Sequence, residues 1–297
     1  MQLAGLLACV ALATSRLGLL AHELVGHGGT AVVLGAHITD VRLFWFAGGW
    51  IRYDNVSSTS AELAISMGGI AVELVVGLVL ALAVRRDTLG RRLVRGVGAA
   101  LILHGSWYLA TGAWHGYGDG VLLARELGYL RYPLAIAAGL VTCAAGYFGA
   151  RGVFGALRDC VPNVGGLVAA LVLAAGANVA LAAGEIHLRT DPTYVAIMKP
   201  EKERLVERDL ARWEEYQRTH GGDLSQEHVE RARLEQVHHT FPFAWLLGVA
   251  TAVAAVVGAV RARPGTGERI AARLVVRAAT AAVISTGAVI AIDVLAR

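Results

Sequence analysis

Long runs of apolar residues, separated by short polar segments, recur along the chain. A run of about 18 or more apolar residues is long enough to cross the hydrocarbon core of a bilayer. The first run is interpreted as an uncleaved span because it lacks the basic n-region of a signal peptide. The pattern predicts an all-α polytopic membrane protein with about seven spans, at 2–35, 61–84, 96–115, 132–150, 163–185, 241–260 and 270–295.

Two segments between the spans have patterns of their own. Residues 36–60 contain "VRLFWF" and "WIRY", whose β-branched and aromatic residues flank Gly48-Gly49 and predict a short β-hairpin after span one. Residues 186–240 are polar and helix-rich, as in "PEKERLVERDLARWEEYQRTH", and predict a helical extramembrane insertion. A further short helix is predicted at 120–130.

The composition agrees with a membrane protein. Of the 297 residues, 56% are hydrophobic and 17% are charged, and the mean hydropathy is +0.55, which is more apolar than soluble domains usually are. The net charge of +4 comes mostly from arginines in short loops. In a membrane protein such charge reports orientation, so no nucleic-acid partner is predicted. The three cysteines are far apart and give neither a disulfide framework nor a CxxC metal site.

The arginines in short loops predict the orientation, because such loops carry positive charge on the cytoplasmic side. The densest cluster lies in residues 85–95, so this loop is predicted to be cytoplasmic, and segments 36–60, 116–131 and 186–240 are predicted to lie outside. We therefore expect a multi-pass protein of the cell membrane with the segment His22–His27 in the outer half of span one.

This first span contains three ionisable residues, His22, Glu23 and His27, in the sequence "HELVGH". Burying such groups in a bilayer without partners is costly, so they are functional candidates. A zinc ion would account for the set, because neutral imidazoles and carboxylates are zinc ligands and a further carboxylate can act as a general base on water.

The spacing of the two histidines departs from the known zinc motif HExxH, in which the histidines are four residues apart and share a helix face. Here they are five apart, and a regular helix would turn them about 140° from each other. A π-bulge absorbs one extra residue in a turn, and Gly26 and Gly28-Gly29 make such a distortion easier. Alternatively, Glu23 and His27, which are four apart, are the ligands and His22 lies behind them.

Three stretches together resemble the site-2-protease-type intramembrane metalloproteases. "AHELVGHGGTAVVLGAHITDVRLF" resembles the first helix of that family and the β-rich segment that follows it. "SMGGIAVELVVGLVLALA" resembles its small-residue helix, and "YGDGVLLARE" resembles its later Asp-Gly motif. Their order and approximate spacing agree with the family over residues 19–126, whereas spans four to seven show no match.

This resemblance implies a zinc metalloprotease that cleaves a membrane-embedded or membrane-adjacent peptide bond, with a membrane protein as substrate and the lipid bilayer as its surroundings. His22 and His27 would be zinc ligands, Glu23 the general base, and Asp119, at the outer end of span three, the third ligand. The spans and the polar segment predict four parts: a metalloprotease-like membrane core at 1–131, accessory spans at 132–185, an extramembrane helical module at 186–240 and a C-terminal two-span unit at 241–297.

Further polar residues lie within the spans. Glu73 is in the middle of span two, where a structural or proton-coupled role with Arg16 or a histidine as partner is favoured over a metal role. Span three carries a polar stripe on one helix face, interpreted mostly as packing towards the bundle interior. His115, which belongs to this stripe, is close enough to Asp119 in sequence to be an auxiliary ligand. The stripe consists of His104, Tyr108, Thr111 and His115.

The same residues are compatible with other functions. Intramembrane acids and histidines also form proton relays, so Glu73 and the stripe that begins at His104 favour a non-proteolytic protein that handles metal or protons. A third hypothesis is an inactive protease fold kept as an interaction scaffold. Whether the side chains of His22, His27 and Asp119 converge distinguishes the protease fold from the other two hypotheses.

Overall fold

The first span and the segment after it have an unusual local structure. The computed structural model describes residues 2–85, 88–161, 164–189, 201–237, 241–263 and 270–297. The first span consists of helix α1 (Gln2–Leu20), a π-helix (Ala21–Gly28) and helix α2 (Gly29–Val33). It is followed by an antiparallel hairpin of β1 (His37–Leu43) and β2 (Gly49–Asp54).

The remainder of the described chain is helical. Short 3₁₀ turns lie at Gly128–Leu130, Arg158–Cys160 and Leu224–Gln226. The helices are α3 (Thr59–Ala83), α4 (Leu89–His115), α5 (Gly120–Leu127), α6 (Arg131–Leu157), α7 (Val164–Leu188), α8 (Glu201–His220), α9 (Glu227–Val237), α10 (Phe243–Val260) and α11 (Ala272–Leu295).

Seven helical segments of the described residues are long and apolar enough to cross a membrane, and α5 and α6 together form one of them. Apolar side chains are exposed on their outer faces, such as Val75, Leu78 and Val79 of α3, and a bilayer would cover such side chains. The prediction of an all-α polytopic membrane protein with about seven spans and a hairpin after the first is therefore confirmed.

Span three begins earlier than the sequence predicts. Helix α4 starts at Leu89, whereas the apolar pattern starts the span at 96. The helix begins there because the Thr88 hydroxyl accepts a hydrogen bond from the Arg91 backbone N–H at 3.3 Å and so caps it. The arginines between 89 and 95 led to the prediction of a loop there. An arginine is nevertheless compatible with a helix that extends beyond the apolar core.

Two compact units make up the described chain, Met1–Leu188 with Ala244–Arg297, and Arg189–Phe243. The second unit contains α8 and α9, which pack through a small apolar cluster of Val206, Leu210, Trp213 and Leu234. It corresponds to the segment predicted as an extramembrane helical insertion, of which residues 190–200 and 238–240 lie outside the described part.

In the first unit, close helix packing places α3 beside both of its neighbours. A Cβ atom on Gly98 of α4 would lie 2.7 Å from the Gly77 carbonyl oxygen of α3, so these two backbones touch. A Cβ atom on Gly68 of α3 would lie 2.5 Å from the Gly26 carbonyl oxygen of the π-helix. Small residues allow such approaches in membranes, and here they bring spans one, two and three together.

The hairpin folds back along the first span. Gly28 faces the hairpin, because a Cβ atom there would lie 3.2 Å from Ile51 Cδ1 and 3.4 Å from Ile38 Cδ1. At the other end, the Arg16 guanidinium contacts the carbonyls of residues 44–46. Arg16 is roughly 25 Å from Val33 along the helix axis, so the hairpin tip reaches the level of the middle of span one.

The backbone groups of the hairpin tip have buried charged side chains as partners. Arg16 donates hydrogen bonds to the carbonyls of residues 44–46 at 2.9–3.1 Å. Glu185 of α7 accepts hydrogen bonds from the N–H groups of Trp45 and Phe46, both at 2.6 Å, and from that of Ala47 at 3.2 Å.

Asp293 of α11 completes this set. Its carboxylate accepts hydrogen bonds from the Leu43 N–H and the Trp45 indole Nε1–H, both at 3.3 Å. Arg16, Glu185 and Asp293 are all buried, and we refer to them as the tip clamp. Through the tip clamp, spans one, five and seven hold the hairpin tip in a fixed position.

Candidate metal centre

The π-helix brings the two histidines of the first span onto one face. Hydrogen bonds in a π-helix join residues five apart, so His22 and His27 lie one turn from each other, and their ring centroids are 4.8 Å apart. The π-bulge hypothesis is therefore confirmed as a description of this segment. Both histidines are buried.

Asp119 reaches the histidines from the turn between α4 and α5. This turn is tight because Gly116 and Gly118 adopt left-handed conformations, with φ of 66° and 52°. The Ser66 hydroxyl of α3 donates a hydrogen bond to the Asp119 carbonyl at 2.8 Å and holds the turn against span two. The aspartate enters the site as the residue that precedes α5.

The three side chains present one ligand atom each to a common point. Asp119 Oδ2 lies 3.1 Å from His22 Nε2 and 3.2 Å from His27 Nε2, and the three atoms lie within 4.8 Å of one another. Zinc–ligand bonds of about 2.0–2.2 Å in a tetrahedron separate the ligands by about 3.3–3.6 Å. Among the described residues, these three side chains form the group of histidine, cysteine and acidic residues that could hold a metal ion.

The second nitrogen of His27 fixes which atom faces Asp119. Nδ1 of His27 lies 2.7 Å from the carbonyl oxygen of Ile65 in α3. A carbonyl only accepts hydrogen bonds, so Nδ1 carries the proton and Nε2 of the neutral ring has a lone pair available for a cation. This arrangement is typical of zinc-binding histidines.

The contacts of Asp119 with the two histidines also determine its charge. Burial alone would raise the pKa of Asp119, but the interactions with His22 and His27 outweigh it and hold the pKa below its usual value. Asp119 is therefore a carboxylate over the physiological range, which is the form that binds a metal.

Glu23 lies beside the cluster with a free carboxylate oxygen. Its side chain is buried, and its Oε2 atom has no hydrogen-bond partner among the described residues. It lines a cavity of about 780 Å³ together with His22, Glu73, His104 and Tyr108. A buried carboxylate oxygen without a partner is costly, and a reacting water or a cation in this cavity would provide one.

Two expectations about neighbouring polar residues have clear outcomes. Glu73 is paired with a histidine and not with Arg16, since Glu73 Oε2 lies 2.8 Å from His104 Nδ1 while Arg16 binds the hairpin tip. His115, the hypothetical auxiliary ligand, does not belong to the group of His22, His27 and Asp119 and instead stacks on Tyr117, with ring centroids 6.2 Å apart.

Sequence reasoning missed Glu185 and Asp293, which bind the hairpin tip that borders the cavity. In the sequence, each of these two residues is visible only as an acidic residue near the end of an apolar helix. The partners of these carboxylates are mainly backbone N–H groups, which any residue except proline offers, so no sequence motif identifies the pairing.

Comparisons with family models, with curated proteins and with solved structures find no match to this chain. The functional conclusion therefore depends on the side chains that the fold brings together: the two histidines, Asp119 and the neighbouring Glu23.

Proposed function

We propose that this protein is a membrane-embedded zinc metalloprotease of the site-2-protease type, which cleaves a peptide bond in or next to the membrane. The observation that carries the proposal is the meeting of His22, His27 and Asp119, made possible by the π-helix, beside the buried carboxylate of Glu23. These are the ligands and the general base that the sequence resemblance implies.

In this proposal the chemistry that zinc supplies is Lewis acidity, which polarises the scissile carbonyl and acidifies water. His22, His27 and Asp119 would hold the ion. Glu23 takes a proton from the attacking water through its free Oε2 atom and passes it to the leaving amine.

The proposed substrate is a membrane-embedded or membrane-adjacent segment that unwinds locally, because a regular helix keeps its carbonyls in hydrogen bonds. In the described residues, β1 and β2 form a two-stranded sheet with each other. This hairpin would offer an edge to which the unwound segment adds as a further strand. The helical module Arg189–Phe243 would gate or recruit the substrate.

The proposed location is the cell membrane, with the site in its outer half. This orientation is supported by the arginines of the short loop 85–95, which favour the cytoplasmic side. With that loop inside, the α4–α5 turn that carries Asp119 lies towards the outside.

A second candidate function is supported by the contact of Glu73 with His104. The His104 side chain is 63% exposed, whereas Glu73 is 3% exposed, so the pair connects the interior of the bundle with its surface. Pairs of this kind occur in proton relays. A protein that moves protons or metal ions, or an inactive scaffold, would use the same groups without proteolysis.

The substitution Glu23→Gln distinguishes these functions. Glutamine keeps the size of the side chain but cannot accept the proton, so cleavage of a co-expressed membrane substrate should fall by at least about a hundredfold. Zinc content, measured on the purified protein, should stay at about one ion per chain because Glu23 is not a ligand. Glu126→Gln, at an exposed position of α5, is the matched control and should leave both values unchanged.

Three outcomes would contradict parts of this assignment. Equal cleavage by the wild type and Glu23→Gln would exclude Glu23 as the base. Loss of zinc in Glu23→Gln would make Glu23 a ligand. Altered ion flux in vesicles without proteolysis by either form would favour the second candidate function.

A further inference from the structure

The carboxylate of Glu73 lies between two imidazoles in the interior of the bundle. Its Oε1 atom is 3.6 Å from Nδ1 of His22. Its Oε2 atom is 2.8 Å from Nδ1 of His104, and Oε1 is 3.1 Å from the same nitrogen. A single carboxylate thus connects a proposed zinc ligand with a residue at the surface of the bundle.

We propose that Glu73 is a positioning residue that holds His22 with Nε2 towards the metal, and that His104 keeps Glu73 in place. This inference rests on the proposed function, because it assigns Glu73 a role towards the same zinc ion. It gives the acid in span two a defined task, whereas its sequence position left a structural and a proton-coupled role open.

The first argument is that His22 Nδ1 needs a partner. This nitrogen is buried and has no partner at hydrogen-bond distance among the described residues, and Glu73 Oε1 is the carboxylate oxygen beside it. A shift of a few tenths of an ångström turns the 3.6 Å separation into a hydrogen bond. His22 would then donate to a carboxylate, while His27 donates to the Ile65 carbonyl.

The second argument is that the fold makes room for this carboxylate. A Cβ atom on Gly105 of α4 would lie 3.3 Å from Glu73 Oε2, and one on Gly18 of α1 would lie 3.9 Å from Oε1. Two glycines on neighbouring spans therefore flank the carboxylate. The space they leave lets Glu73 reach His22 and His104 while it remains 3% exposed.

The third argument concerns what a carboxylate does to a zinc-binding histidine. A hydrogen bond from the second ring nitrogen to a carboxylate fixes the tautomer and the ring orientation and makes the ligand nitrogen more basic. Loss of such a partner typically weakens metal binding by about 10- to 100-fold. A carboxylate with only a packing role would not change the affinity in this way.

The experiment measures zinc affinity of the full-length protein in detergent by competition with a chromophoric chelator. Glu73→Gln should bind zinc about tenfold more weakly than the wild type, and Glu73→Ala up to about a hundredfold more weakly. The visible spectrum of the cobalt-substituted protein should change in both, because the orientation of His22 changes. Glu126→Gln, which replaces an exposed acid of α5, is the control and should keep the wild-type affinity and spectrum.

His104→Gln provides a second variant that is expected to fold, because the His104 side chain is largely exposed. It should weaken zinc binding in the same direction by a smaller factor, since it only releases Glu73. Wild-type affinity and an unchanged cobalt spectrum in both Glu73→Gln and His104→Gln would overturn the inference and leave the zinc site intact. Absence of zinc from the wild type would instead overturn the proposed function, and this inference with it.

Discussion

Gly69 of α3 shows how much the candidate site depends on a single missing side chain. A Cβ atom at this position would lie 2.5 Å from His22 Nε2 and 2.6 Å from His22 Cδ2, well inside van der Waals contact. The His22 ring therefore occupies the space that a larger residue would fill. The sequence shows Gly68-Gly69 as a small-residue pair for helix packing, but only the fold shows that Gly69 borders the His22 ring.

Gly69→Ala should push the His22 ring away from Asp119 and weaken zinc binding by at least about tenfold, comparable to the loss of a supporting contact. Gly176→Ala is the matched control, because Gly176 also lies in a span and has no atom within 4 Å of its Cβ position. The measurement is zinc affinity of the purified proteins. An unchanged affinity in Gly69→Ala would show that His22 does not need its observed position to bind the ion.

At the scale of elements, local patterns could be predicted and distant pairings could not. The spans follow from the length of apolar runs, the hairpin from its β-branched and aromatic residues, and the π-helix from the two histidines five residues apart, all of which are properties of short segments. The hairpin tip is different. Its partners Glu185 and Asp293 lie 140 and 250 residues further along the chain from Trp45 and Leu43, and nothing near the hairpin identifies them.

The residues of the candidate site also divide into those that the sequence identifies and those that only the fold shows. His22, Glu23 and His27 stand out in sequence because they interrupt an apolar run, and Asp119 was found through a family resemblance. The roles of Ile65 and Gly69 could not be predicted, because one acts through a backbone carbonyl and the other through the absence of a side chain.

Glu185→Gln should loosen the hairpin tip. One amide oxygen replaces two carboxylate oxygens that accept three backbone hydrogen bonds, and each unsatisfied buried group costs about 1–3 kcal/mol. Thermal unfolding in detergent should show a lower midpoint, and limited proteolysis should cut within 43–48. Glu207→Gln in α8 is the control and should have no effect. Wild-type stability and resistance in Glu185→Gln would contradict the role given to the tip clamp.

At the scale of the whole molecule, each span carries the chain across the membrane, so the side of one loop determines the sides of all the others. The arginine-rich loop before α4 favours the cytoplasmic side. With that loop inside, the α4–α5 turn and residues 186–240 are each expected on the outer side.

This orientation can be tested with single cysteines in a variant whose three native cysteines, Cys9, Cys143 and Cys160, are replaced by alanine. A membrane-impermeant thiol reagent added to intact cells should label Glu214→Cys in α8 and should not label Arg92→Cys. Both positions should react once the cells are opened. The reverse pattern in intact cells would invert the topology and move the proposed site to the cytoplasmic half.

The tip clamp also has a consequence for how the protein is made. The Leu43 N–H and its partner Asp293 are 250 residues apart, and at ribosomal speeds of about 5–20 residues per second the wait is roughly 10–50 s. Until then the Leu43 N–H and the Trp45 indole Nε1–H do not have Asp293 as their acceptor, so we expect these two groups to be hydrated. The hairpin part of the cavity wall is thus fully anchored only when the last span has been inserted.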